Sequence, residues 1–82
     1  MSQDTALLTT MIVESLSKAG DRRLEEHPAD VFNDMLEEVP ELRGRRWELV
    51  VTRQGRARVR VWTPRHGVLT FRKVSRGWEV VE

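Results

Sequence analysis

The 82-residue chain contains no cysteine, so it has no disulfide staple, no thiolate nucleophile and no thiolate metal ligand. A secreted scaffold built on disulfides is excluded with it. No apolar run approaches the roughly 18 residues of a membrane span. Histidine occurs twice, as His27 and His66, and neither sits in metal-ligand spacing. His66 falls in a turn, where an exposed imidazole is expected, and His27 precedes Pro28 near Asp30 and Asp34. The sequence has no phosphate-cradling glycine loop, no nucleophile elbow and no zinc-knuckle pattern. Repeats of solenoid length and low-complexity linkers are also missing. The opening Met1-Ser2-Gln3-Asp4 carries an acid where a signal peptide carries base. These absences point to a cytoplasmic, non-catalytic protein with no cofactor, no metal, no membrane partner and no small-molecule substrate.

What is present is divided in two. Residues 1–41 hold ten acids against three bases, a balance of −7, and residues 42–82 hold eleven bases against three acids, a balance of +8. The hydrophobic period changes at the same place. In the acidic part Leu8, Met11, Ile12, Leu16 and Ala19 recur at helical spacing, with Leu7 and Val13 widening the stripe. Asp4 is placed to cap this helix and Gly20 to end it. Asp21 is placed to cap a short turn through Leu24. Pro28 suits the first position of a further helix, whose stripe is Val31, Phe32, Met35, Leu36 and Val39 and which Pro40 closes. Asn33, Asp34, Glu37, Glu38 and Glu41 lie beside that stripe, as a solvated face does.

In the basic part Gly55, Gly67 and Gly77 punctuate segments rich in valine, tryptophan, leucine and phenylalanine. Consecutive hairpins are the expected result, with strands near 46–52, 56–63, 68–74 and 78–82. The fold class expected is therefore α+β. Two N-terminal amphipathic helices pack on one face of a C-terminal four-stranded antiparallel meander, and residues 1–82 form one domain.

Strand register follows from sorting apolar from charged side chains. A three-residue turn Arg53-Gln54-Gly55 pairs Trp47 with Val61, Leu49 with Val59 and Val51 with Ala57 on one face. On the other it pairs Glu48 with Arg60, Val50 with Arg58 and Arg46 with Trp62. The same rule at Arg65-His66-Gly67 pairs Val61 with Phe71, Thr63 with Leu69, Arg60 with Arg72 and Trp62 with Thr70. At Ser75-Arg76-Gly77 it pairs Phe71 with Val81, Lys73 with Glu79, Val74 with Trp78 and Arg72 with Val80. The side turned from the helices then carries Arg58, Arg60 and Arg72, surrounded by Trp62, Trp78, Val50, Val74 and Val80, with Arg46 at its margin.

A merely solvated strand face would show threonine, lysine, glutamate and serine. Large apolar groups mixed with arginine mark a contact surface, and arginine and tryptophan are enriched among binding hot spots. The expected function is that of a small accessory module, docking a protein partner or a second copy of itself through Arg46, Arg58, Arg60, Trp62, Arg72 and Trp78. The alternative is a regulatory protein that binds single-stranded nucleic acid or RNA on the same face, with indole for stacking and guanidinium for phosphate. The negative balance of residues 1–41 weighs against that alternative.

Overall fold

The structure, a computed structural model, describes residues 3–51 and 56–81, with side chains from Thr5 onward. Helix α1 spans Gln3–Ala19. Leu8, Ile12 and Leu16 recur every four residues and are all buried, which is the stripe the sequence predicts. Leu7 does not join it and is 62% exposed, one position round the helix from the buried line. Asp4 lies inside the helix, one residue past its start. The chain leaves α1 at Gly20, whose φ of +85° is a conformation that a β-carbon disfavours. Helix α2, Asp21–Glu26, buries Leu24. Asp21 is its first residue and makes no cap; its carboxylate lies 3.0 Å from Lys73 Nζ in the sheet.

Helix α3 spans Pro28–Glu38 with the proline in its first turn, where the missing N–H costs nothing. Val31, Phe32 and Met35 are its buried face. A single 3-10 turn at Pro40–Leu42 follows and drops Leu42 into the core.

The strands are β1 Trp47–Val51, β2 Ala57–Thr63, β3 Gly67–Val74 and β4 Gly77–Val81. They form one antiparallel sheet in the order β1-β2-β3-β4, with the helices packed against it. The α+β meander is the expected architecture. The core joins Leu8, Ile12 and Leu16 of α1 and Val31, Phe32 and Met35 of α3 to Val59, Val61, Leu69 and Phe71 of the sheet. On this inner side the Phe32 and Trp47 rings stack with centroids 4.2 Å apart and planes at 7°. Such a pair contributes roughly 0.5–1.5 kcal/mol beyond its burial.

Register is as expected in the first hairpin, Trp47 facing Val61, Glu48 facing Arg60, Leu49 facing Val59 and Val50 facing Arg58. The turn expected at Arg53-Gln54-Gly55 lies outside the described residues. The second hairpin differs. Its loop is Pro64-Arg65-His66, with Thr63 opposite Gly67, so the pairs are Val61–Leu69, Arg60–Thr70 and Arg58–Arg72. Thr63 fixes this choice. Its hydroxyl donates to the Gly67 carbonyl at 2.9 Å and accepts from the His66 N–H at 3.0 Å, closing the turn one residue early. A shift of two positions leaves every side chain on its expected face.

The third hairpin corrects the sequence reading more deeply. Its loop is the two-residue Ser75-Arg76, with Val74 opposite Gly77, Lys73 opposite Trp78 and Arg72 opposite Glu79. This odd shift turns β4 over. Trp78 points to the helices and is 6% exposed; Val80 joins it at the edge of the core, and Val81 and Glu79 face outward. Glu79 explains the preference. The expected register set this carboxylate on the core side, and the observed one gives it to water and to Arg72.

Candidate interaction surface

The corrected registers place the outer side chains in three rows across the strands. One row runs Val50, Arg58, Arg72 and Glu79. The next runs Glu48, Arg60, Thr70 and Val81. The third holds Arg46, Trp62 and Val68, with the Trp62 N–H donating to the Arg46 carbonyl at 3.0 Å. Five of the six residues expected on this surface are therefore together: Arg46, Arg58, Arg60, Trp62 and Arg72. Trp78 is the exception. It lies beneath the helices, and Lys73 sits over its ring at 5.9 Å.

Each cation on the surface has a different environment. The Arg46 guanidinium lies 4.7 Å above the Trp62 ring, a cation–π contact that leaves the indole half-buried. Arg60 stands 3.9 Å from Glu48. Arg72 is bonded to Glu79 through both its Nε and its terminal nitrogen. Arg58 faces Arg72 directly, yet among the described residues it has no ion pair of its own. Like charges opposite one another in a sheet are unfavourable by a few tenths to about 1 kcal/mol. Glu79 relieves Arg72 and leaves Arg58 as the unspent charge. The exposed pairs themselves contribute about 0–1 kcal/mol each.

Apolar surface surrounds that charge. Val50 is 42% exposed and sits opposite Arg58; Val68, 47% exposed, sits opposite Trp62. At the end of β2 and β3 a cleft of about 340 Å³ is lined by Arg56, Arg58, Arg72 and Lys73 together with Ala57, Val74 and Ser75. Chemically the surface offers guanidinium donors, which bind carboxylates in paired geometry, beside valine and indole area that water solvates poorly.

Another cleft, about 360 Å³, lies between α1 and α3. Most of its charges are paired within it. The Ser15 hydroxyl donates to Glu38 at 2.8 Å, Lys18 approaches the same carboxylate at 3.5 Å, and Arg23 bonds Asp34 at 2.8 Å. The Ser15 hydrogen bond first, and the Lys18 charge second, hold Glu38 below its ordinary value. These contacts tie helix to helix and occupy Ser15, Lys18, Arg23, Asp34 and Glu38 with one another, which makes the cleft a weaker candidate than the sheet face.

Val68, Val81 and Glu79 belong to the surface and were not assigned to it from the sequence. The signal for Val68 was its parity with Thr70 and Arg72. For Glu79 it was the cost of placing a carboxylate against the core. His66 also departs from expectation: its Nδ1 lies 2.7 Å from Thr5 Oγ1, which ties the β2–β3 turn to the start of α1. No protein-family model, curated protein or solved structure matches this chain.

Proposed function

We propose that this chain is a non-catalytic docking module whose outer sheet face binds a protein surface carrying both carboxylates and apolar side chains. The observation that carries the reading is Arg58. It is set against Arg72, has no carboxylate among the described residues, and is flanked by exposed Val50. A partner carboxylate placed between the two guanidiniums would remove the repulsion and complete their hydrogen bonding. Val50, Val68 and the uncovered part of Trp62 supply the apolar area such a contact needs.

Glu48 and Glu79 bear on the choice of partner. Each stands in a row with an arginine, so a polyphosphate backbone laid across the face would meet two carboxylates. A protein surface of mixed charge meets no such penalty. The test compares immobilised wild-type protein with Arg58→Glu and Trp62→Ala in host extract, alongside titrations with single-stranded oligonucleotides across a salt series. The expected result is a protein retained by the wild type in moderate salt and lost from both variants. Oligonucleotide binding that weakens linearly in log[salt] and disappears in Arg58→Glu would select the nucleic-acid reading instead. Equal retention by all three proteins would remove the face from consideration.

A further inference from the structure

The sheet has two open edges, β1 and β4. They differ in how they are finished. Every residue of β4 is buried or half-buried, and α1 packs along it. Strand β1, with the sequence Trp-Glu-Leu-Val-Val, ends in two exposed valines, Val50 at 42% and Val51 at 47%. It contains no proline, no lysine and no bulge in its pairing with β2, devices that ordinarily protect an edge from pairing with another chain, and its one charge is Glu48.

The free backbone groups of β1 can be assigned. Trp62 N–H donates to the Arg46 carbonyl, so Arg46, Glu48 and Val50 turn their amides and carbonyls toward β2. The alternate residues Trp47, Leu49 and Val51 turn theirs to the open edge. A second copy related by a two-fold axis normal to the sheet would meet this edge antiparallel, with inner face continuing inner face. Three registers are available. Centring on Glu48 sets it against Glu48 of the second copy, a direct like-charge pair. Centring on Val50 sets Trp47 and Glu48 against positions outside the described residues. Centring on Leu49 pairs Leu49 with its copy, Trp47 with Val51 of the second copy, and Glu48 with Val50 of the second copy. That register forms about six hydrogen bonds from the free groups. It also places apolar against apolar along the inner face and covers both exposed valines.

We propose that the protein forms a two-fold dimer through β1 in this Leu49-centred register, joining two sheets into one of eight strands. The pairing uses the backbone edge of β1, not the guanidiniums of Arg58 and Arg72, and shares only Val50 with the docking face; sedimentation of the pure protein tests it apart from partner retention. It has one further consequence: both outer faces lie side by side on one side of the joined sheet. An edge of five residues gives a small interface, so the association is reversible and concentration-dependent.

The test is sedimentation from micromolar to millimolar concentration, with amide exchange at Leu49 followed over the same range. In the wild type a dimer should accumulate and the Leu49 amide should slow in step with it. Val50→Glu sets a glutamate opposite Glu48 of the second copy, twice by symmetry, and should weaken the dimer about tenfold. Within its own chain that glutamate faces Arg58, so the monomer keeps its fold, which circular dichroism checks. Val50→Lys sets a lysine opposite the same Glu48 and should dimerise at least as well as the wild type. A monomer at every concentration with fast exchange at Leu49 would overturn the proposal. So would a dimer that Val50→Glu and Val50→Lys affect alike.

Discussion

Arg58 and Arg72 stand directly opposite one another on β2 and β3, and among the described residues the carboxylate of Glu79 is bonded to Arg72 and not to Arg58. The sheet therefore holds one guanidinium against its electrostatic interest. Stability is given up locally at a place where a contact would recover it, a pattern common to binding surfaces.

That arrangement sets the first prediction. Arg58→Thr removes the like-charge pair and introduces a residue suited to a strand. It should stabilise the protein by a few tenths to about 1 kcal/mol while weakening partner retention. Urea denaturation measures the first effect. A loss of more than about 1 kcal/mol would mean that Arg58 already has a favourable environment.

The second prediction concerns the two tryptophans that the sequence set on one face and the structure sets on opposite faces. Trp78 is buried, and among the described residues its Nε1 has no hydrogen-bond partner. Trp78→Ala should cost roughly 3–5 kcal/mol, as large cavities do. Trp78→Phe keeps most of the packing and deletes the unpartnered donor, so it should cost much less. Trp62→Ala loses a half-exposed ring and one cation–π contact and should cost about 1 kcal/mol or less. Equal costs for Trp62→Ala and Trp78→Ala in denaturant would contradict the assignment of faces.

The reason the sequence misplaces Trp78 is specific. In β1 and β2 all the charges, Glu48, Arg58 and Arg60, fall on one parity and the other is wholly uncharged, so one register sorts them and its neighbours do not. In Gly77-Trp78-Glu79-Val80-Val81 both parities contain a valine, so apolar sorting does not choose between them and only the placement of Glu79 does. The glycine of Arg76-Gly77 suggested a three-residue loop; the chain uses two residues and gains a buried tryptophan. In the second hairpin the error was even-numbered and harmless to the surface, because Thr63 closes the loop by a side-chain bond that apolar sorting does not weigh. The helices were legible because their buried positions keep a strict helical period. Leu7 is a lapse of the same kind as Trp78: an apolar residue at the margin of a stripe has no internal mark of which side it takes.

Acid should act through Glu38. Its folded-state pKa lies below the ordinary 4.5 because Ser15 donates to it and Lys18 stands near. A depressed carboxylate pKa contributes stability above the unfolded value, and that contribution is lost as pH falls through the lowered folded value. Ser15→Ala removes the principal cause. The stability gap between wild type and Ser15→Ala should be widest at neutral pH and should close as pH falls below 4.5 toward the lowered value. Denaturant titrations across that range measure it, and a gap that stays constant with pH would show that Ser15 acts through packing alone.

The docking reading is tested most directly by photocrosslinking in the host cell from two positions. One photoreactive residue replaces Val68 on the outer face, beside Trp62; the other replaces exposed Asn33 on α3, on the far side of the molecule. A protein crosslinked from position 68, absent from position 33 and lost when Arg58→Glu is added, is the expected result. Crosslinks from position 33 alone, or from position 68 to nucleic acid, would contradict it.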